Sequence, residues 1–309
     1  MSQFKGTYVF KQNGIEIGRS SNIVTSNGRK AILQYLTGSI QDWAADMCIG
    51  AIPSPTPALS DTQLNFETGR YPVALKTFIS AGTVANNPDL ILVRATLPVG
   101  LYANIYEIGL YATSSSAYST STRNNVILDD FSTLSFWNLS AGSVVQNAYV
   151  AQGYNSPRIG SKSISFSPNT TYSNSNLNIG FSNYSSVDSL QLLVFNTTAG
   201  TIAVTITDIS GINQTLTFTT TNNANYSVLS IPFDQSISGS TNSIVNFNKI
   251  TSISIVTGSN TYATIDAIKV SSASEISVAE SLVSKSVLTN PIPKNPNIPL
   301  DIEYYVEML

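Results

Sequence analysis

Residues 300–308 read Leu-Asp-Ile-Glu-Tyr-Tyr-Val-Glu-Met, so apolar residues alternate with mostly acidic ones. A period of two predicts a β-strand with one buried side and one solvated side. Such a strand needs a sheet to join, and the strands predicted in the first 112 residues can supply one. The sequence therefore predicts a domain that is split between the two ends of the chain.

The first 112 residues predict a small α+β domain in which strands dominate. The pair Asn13-Gly14 favours a tight type I′ turn, so the residues on either side of it predict a β-hairpin. Thr25 can cap a helix that Gly38 ends. The apolar face of that helix is predicted to consist of Ala31, Ile32, Tyr35 and Leu36. Further strands are predicted near residues 47–49, 70–78, 90–97 and 105–111, and a short helix is predicted at 278–283.

The middle of the chain predicts a separate domain. Residues 112–125 are rich in Ser, Thr and Asn, which is typical of a linker. Between residues 126 and 272, short strands recur at 190–195, 203–207, 215–219, 228–231, 250–256 and 265–270. In one of them Ile202, Val204 and Ile206 alternate with threonines and an alanine, as expected for a sheet with one buried face.

The predicted fold class is therefore mainly β. A small α+β domain occupies residues 1–112 and 277–309, a linker occupies residues 113–125, and an antiparallel β-sandwich of jelly-roll type occupies residues 126–273. The 42% hydrophobic content of the 309 residues is ample for two packed cores.

Composition argues against several classes of function. The chain has no histidine, which removes the commonest general base and most zinc sites. With a net charge of −3 and no run of Lys or Arg, it has no obvious means of binding nucleic acid. Cys48, the one cysteine, lies in an apolar run and is expected to be buried. No stretch approaches the roughly 20 apolar residues of a membrane span, and Met1–Lys5 do not begin a secretory signal, so we expect no membrane insertion.

Short motifs in the first domain resemble a known family. They are Cys48-Ile49-Gly50-Ala51, then Thr62, Leu64, Glu67 and Arg70 at fixed spacing, and finally Glu107-Ile108-Gly109-Leu110-Tyr111. In this order they resemble the N-terminal domains of phage tail-collar fibre proteins, over roughly residues 45–112. The proline-rich loop and the lack of a long fibrous shaft depart from that family. Without the resemblance, Glu67 and Arg70 could be a simple ion pair and Gly109 a bulge glycine.

The resemblance implies a virion protein of the tail, baseplate or neck, assembled in the host cytoplasm. Its expected partners are other virion proteins, and we expect a homo-oligomer.

The middle domain has a second resemblance. Its residues are Asp129-Asp130-Phe131, Trp137, Gly160-Ser161-Lys162-Ser163-Ile164 and Ile265-Asp266-Ala267-Ile268-Lys269-Val270. They resemble galactose-binding-like jelly rolls, which are common as carbohydrate-binding modules. The resemblance implies a structural calcium ion between the first and last strands, for which Asp129, Asp130 and Asp266 match by position. The alternative is that these three residues bind no calcium and are solvated aspartates at strand ends.

Aromatic residues of the middle domain are the candidates for contact with a host surface glycan, since aromatic rings stack on the apolar faces of sugars. The predicted glycan-binding residues are Tyr149, Tyr154, Tyr172 and Tyr184. Each of them could instead serve core or surface packing. Trp137 lies near the first strand and is expected in the core.

Three functions stay open at this point. The first is a virion protein that docks to the particle and displays a glycan-binding module for host adhesion. The second is an architectural or decorating virion protein that binds no receptor. The third is a hydrolase of envelope polysaccharide, which would need two carboxylates. No glutamate occurs between Glu107 and Glu275, and Asp188, Asp208 and Asp234 lie beside turn residues, so we expect no enzymatic activity.

Overall fold

The computed structural model describes residues 4–53, 55–80, 89–113, 125–153, 156–179, 188–195, 197–233, 245–246, 249–271 and 280–308. The chain divides into two compact units. The first, here called the split unit, comprises Met1–Tyr118 and Glu275–Leu309. The second, here called the sandwich unit, comprises Ser119–Ser274.

The described residues form twenty strands and one helix. Those before residue 114 are β1 (Phe4–Gln12), β2 (Ile15–Ser21), β3 (Ile23–Val24), α1 (Ser26–Leu36), β4 (Asp42–Gly50), β5 (Glu67–Ile79), β6 (Leu90–Leu97) and β7 (Ala103–Thr113). Those of the sandwich unit are β8 (Asn125–Asp129), β9 (Trp137–Ala141), β10 (Val144–Ala148), β11 (Lys162–Phe166), β12 (Thr171–Asn174), β13 (Ser189–Phe195), β14 (Gly200–Asp208), β15 (Asn213–Thr220), β16 (Ser227–Pro232), β17 (Ile250–Thr257) and β18 (Ala263–Ser271). The last two are β19 (Glu280–Lys294) and β20 (Leu300–Met308).

The split unit is built on an antiparallel sheet of nine strands in the order β2-β1-β20-β6-β5-β4-β7-β19-β3. Strand β20 lies between β1 and β6 and pairs with both along most of its length. This pairing confirms the expectation that residues 300–308 join the N-terminal sheet. The alternating pattern of β20 explains why it joins this sheet, because its apolar residues Ile302 and Tyr304 are buried there. The Tyr304 ring also stacks on the Tyr8 ring, with 4.5 Å between the ring centroids.

Helix α1 forms where the sequence predicts it, but it buries different residues. The Thr25 hydroxyl accepts a hydrogen bond from the backbone N–H of Gly28 at 2.9 Å, which caps the first turn. The buried residues of the helix are the small ones, Gly28 and Ala31. Tyr35 and Leu36, which share the predicted apolar face with Ala31, are both exposed. Small residues let the helix approach the strand carrying Val283 closely, which leaves its larger side chains outside.

Strand β19 replaces the short helix predicted at residues 278–283, of which 280–283 are described. It pairs with β7 from Glu280 to Lys294, with irregular register between Val287 and Ile292. Its prolines lie at this irregularity or just after it, in a part of the strand whose only described partner is β7. Proline is tolerated at such positions because no second ladder needs its missing N–H. Long-range pairing therefore overrides the local helical pattern.

The sandwich unit consists of a six-stranded and a five-stranded antiparallel sheet around one core. The first has the order β10-β11-β18-β13-β16, with β8 also paired to β18, and the second has the order β15-β14-β17-β12-β9. Ile202, Val204 and Ile206 all point into the core, which confirms the alternation predicted for this strand. The fold class is mainly β, a small α+β unit with an antiparallel sandwich. Within the described part of the chain, no helix has the length and apolar character needed to span a membrane.

Candidate functional site

The charged residues of the collar-like motifs hold a loop in the split unit. Glu107 is fully buried, and its two carboxylate oxygens accept hydrogen bonds from the backbone N–H groups of Asn65 and Phe66 at 2.9 and 3.0 Å. The ammonium of Lys285 lies 3.6 Å from Glu107 Oε1 and 3.2 Å from Asp61 Oδ2. Lys285 was not anticipated from sequence, because it lies far from Glu107 along the chain. Both oxygens of the Glu107 carboxylate therefore bind backbone N–H groups.

The remaining motif residues form a second buried contact. Arg70 pairs with Glu67, and its guanidinium lies 3.9 Å from the centroid of the Tyr111 ring. The Tyr111 hydroxyl accepts a hydrogen bond from the backbone N–H of Leu64 at 3.3 Å. Burial raises the pKa of Tyr111 well above its ordinary value. These contacts agree with the ion-pair interpretation of Glu67 and Arg70.

The structure corrects one of the predicted glycan contacts. Tyr172 is only 5% exposed and stacks on Trp137, with ring centroids 4.7 Å apart and planes 15° from parallel. Its other neighbour is Phe166, which meets it edge-on at 5.9 Å. A ring packed in this way has no free face for a sugar. Tyr172 and Trp137 therefore belong to the core, as expected for Trp137 alone.

The other three predicted tyrosines do not define a site within the described residues. Tyr149 is half-buried, and burial raises the pKa of its hydroxyl to about 12. Its backbone N–H donates to the carbonyl of Ser161 at 2.9 Å. Tyr154 and Tyr184 lie outside the described residues.

Strand β8 ends at Asp129, and Asp129 and Asp130 shape the turn that follows. Asp129 Oδ1 accepts a hydrogen bond from the backbone N–H of Phe131 at 2.6 Å, and Oδ2 accepts one from the Trp137 indole at 3.1 Å. Phe131 has a φ of 55°, so this contact helps to hold a left-handed backbone conformation. Asp130 Oδ1 accepts from the backbone N–H of Ser132 at 3.0 Å. Burial, as the largest cause, raises the pKa of Asp129.

Asp266 is fully buried on β18 and binds backbone as well. Its Oδ2 accepts hydrogen bonds from the N–H groups of Arg158 and Ile159 at 2.6 and 3.3 Å. Burial raises its pKa well above the ordinary value, although these hydrogen bonds and the Arg158 charge oppose that shift.

The structure does not bring Asp129, Asp130 and Asp266 together as one three-carboxylate group, and calcium binding stays a prediction. Among the described residues, no group of three or more Asp, Glu or Cys side chains is placed to hold one metal ion. N–H donors of the polypeptide bind both oxygens of Asp129 and one oxygen each of Asp130 and Asp266.

A cleft of about 450 Å³ opens beside the end of β8 in the sandwich unit, and we call it the Phe136 cleft. It is lined by Ile127, Leu128, Asp129, Asp130, Thr133, Phe136, Asn174, Asn176, Leu177 and Asn178. Phe136 is 51% exposed, and Asn176 and Asn178 are exposed as well. The Asn174 side-chain oxygen accepts the backbone N–H of Asn176 at 3.0 Å, which fixes the segment that carries the amides.

The lining chemistry of the cleft suits a polyhydroxylated ligand. It combines one accessible aromatic ring, amides that donate and accept hydrogen bonds, and two carboxylates, without any Lys or Arg. Sequence reasoning missed Phe136 and the asparagines. The alternation of asparagine at residues 174, 176 and 178, directly after a strand, was the signal that could have indicated them.

Comparisons with known proteins find distant likeness in about half of the chain. No protein-family model and no curated protein matches. A family 11 carbohydrate-binding module from Clostridium thermocellum, in complex with a β-1,3-1,4-mixed-linked tetrasaccharide, has a TM-score of 0.34 and 14% identity over 50% of this chain and 99% of that one. A family 6 carbohydrate-binding module has a TM-score of 0.32 and 12% identity over 49% and 95%. The enzymatically active domain of tailspike protein 4 from bacteriophage CBA120 has a TM-score of 0.30 and 15% identity over 48% and 22%.

Proposed function

We propose that the sandwich unit binds a neutral glycan in the Phe136 cleft, and that the chain is a non-enzymatic adhesion protein of a tailed-phage virion. The observation that carries the first part is the half-exposed Phe136 ring, set in a cleft with the exposed amides of Asn176 and Asn178. A sugar ring has an apolar C–H face that can cover such an aromatic ring, and its hydroxyls can bond to the amides.

The charge of the cleft supports a neutral ligand. Asp129 and Asp130 line it and no cation does, so a glycan with carboxylate, phosphate or sulfate groups would meet like charges. A neutral hexose polymer can instead donate hydroxyl hydrogens to the carboxylate oxygens. Affinity per site is expected to be weak, since a small open cleft gains little beyond the cost of association. Several copies on one particle would raise the avidity.

The virion role and the lack of catalysis are supported by the sequence motifs and by the use of the carboxylates. The collar-like motifs in the split unit suggest attachment to other virion proteins. Hydrolysis of a glycoside needs two carboxyl groups that flank the scissile bond and are available to it. Both oxygens of Asp129 accept hydrogen bonds from the polypeptide, so this residue is poorly suited to serve as an acid or a nucleophile.

The test is binding of the full-length chain to an array of neutral and acidic glycans, followed by calorimetry with the best neutral oligosaccharide. Phe136→Ala should weaken binding by about 1–2 kcal/mol, as expected for the loss of one stacked ring. Tyr262→Ala is the matched control, because Tyr262 is a 56% exposed aromatic of the same unit that does not line the cleft. Equal loss in both variants, or binding only to acidic glycans, would contradict the proposal. Release of reducing sugar from the bound polymer would contradict the non-enzymatic role.

A further inference from the structure

Helix α1 turns two leucines toward solvent. Leu33 is 64% exposed and Leu36 is 73% exposed, and a separation of three residues places them side by side on the helix surface. The helix is held through its opposite side, where Gly28 and Ala31 pack closely against the sheet. The two leucines therefore contribute little to the core of the split unit.

Two cations lie one turn before these leucines. Arg29 and Lys30 are exposed, and in the described part of the chain no carboxylate forms a salt bridge with either of them. The positions four residues later hold Leu33 and Gln34, so the helix supplies no acidic partner at the spacing that would favour one.

The position of these cations is unfavourable for the helix itself. Positive side chains near a helix N-terminus oppose the macrodipole, whereas acidic ones favour it. Helix α1 has no acidic residue in its first turn and no basic residue in its last turn. Arg29, at the end of the first turn, thus opposes the macrodipole, and no salt bridge among the described residues compensates it, as expected of a residue that serves an external contact.

We propose that Arg29, Lys30, Leu33 and Leu36 form a docking surface, here called the cationic helix face, for an acidic segment of a partner protein. Carboxylates of the partner pair with the two cations, and its apolar side chains cover the two leucines. A protein segment fits better than a lipid surface, because two leucines and the exposed Tyr35 on an 11-residue helix offer little apolar area for insertion among lipids. The surface lies in the split unit, and the proposal does not depend on glycan binding.

The experiment measures binding of the full-length chain to a fluorescein-labelled synthetic peptide that alternates Glu and Leu on one helical face. A peptide of the same length with Lys in place of Glu serves as the probe control. We expect the acidic peptide alone to bind, and the double variant Arg29→Glu/Lys30→Glu to weaken that binding by about tenfold or more. Leu36→Ser should weaken it as well.

The matched control is Lys162→Glu/Lys249→Glu, which makes the same change of charge in the sandwich unit and should leave binding unchanged. Arg29→Gln/Lys30→Gln tests the same surface if charge reversal prevents folding, as judged by thermal melting. Equal binding by the wild type and the Gln variant would overturn the proposal. The proposal would also be overturned if the chain did not bind the acidic peptide but co-sedimented with vesicles containing phosphatidylserine. That result would show that the helix face binds lipid.

Discussion

At the scale of single residues, two buried carboxylates, Glu107 and Asp266, bind backbone N–H groups. Glu107 accepts two backbone N–H groups, and Asp266 accepts two more. A buried carboxylate without such donors would be very costly, and with them it fixes loops that have no regular structure. The collar-like motif residues are thus explained by the folding of the split unit, independently of any partner.

Removal of the Glu107 carboxylate tests this structural role. Glu107→Ala leaves the N–H groups of Asn65 and Phe66 without their acceptor and removes the carboxylate beside Lys285. We expect the free energy of unfolding to fall by about 3–5 kcal/mol, as for other broken buried pairs. Urea denaturation measures it. Glu16→Ala, which breaks the exposed pair with Arg19, is the control and should leave stability nearly unchanged. Similar losses in the two variants would contradict the assignment.

Asp266 gives a prediction for pH. Burial raises its pKa, so the folded protein holds this proton more tightly than the unfolded chain does. The free energy of unfolding that Asp266 contributes is therefore present below the ordinary aspartate pKa and is lost as pH rises through the raised value. Asp266→Asn removes this dependence. The melting temperature of the variant relative to wild type should therefore rise between pH 4 and pH 8, because only the wild type loses stability over that range. A constant difference over that range would show that the residue does not titrate there.

At the scale of elements, the packing of helix α1 depends on the absence of a side chain at one position. A Cβ atom at Gly28 would overlap the carbonyl group of Val283 on strand β19. The helix can approach the strand because glycine is there, and its larger residues then face outward.

Gly28→Ala should consequently destabilise the protein although alanine is the better helix former. We expect a loss of about 1–3 kcal/mol, since the helix or the strand must shift to relieve the overlap. Thermal or urea unfolding would measure the loss. Asn27→Ala, at an exposed position of the same helix, is the control and should be neutral or slightly stabilising. A gain in stability for Gly28→Ala would mean that the close contact is absent.

At the scale of the whole molecule, the two ends of the chain build one sheet and the middle builds another unit. Strand β20 lies between β1 and β6, and Thr113 pairs with Glu280 where the chain leaves and re-enters the split unit. Because these two positions are adjacent, the sandwich unit can be replaced by a short link without stretching the sheet.

We therefore expect a chain in which residues 119–274 are replaced by a short Gly-Ser linker to fold. Its circular dichroism should show β-structure, and it should melt cooperatively, since the nine-stranded sheet has its own core. The sandwich unit expressed alone is the companion sample and should fold as well. A remainder that is digested rapidly by protease and shows no thermal transition would contradict the division into units.

The sequence by itself determined the elements whose pattern is local. The alternation at residues 300–308 predicted a strand of the N-terminal sheet, the alternation around Ile202 predicted one buried sheet face, and Thr25 with Gly38 bounded the helix. These features follow from side-chain periodicity and backbone conformation, which depend on neighbouring residues.

Only the tertiary structure decided which residues meet. It turned residues 280–283 into strand β19, placed Tyr172 in the core, and gave Asp129, Asp130 and Asp266 backbone N–H partners. It also formed the Phe136 cleft from β8, a turn and the segment after β12. In each case the outcome depends on strand register between residues far apart in sequence. A shift of one residue exchanges the two faces of a strand, so composition and local pattern alone do not contain that information.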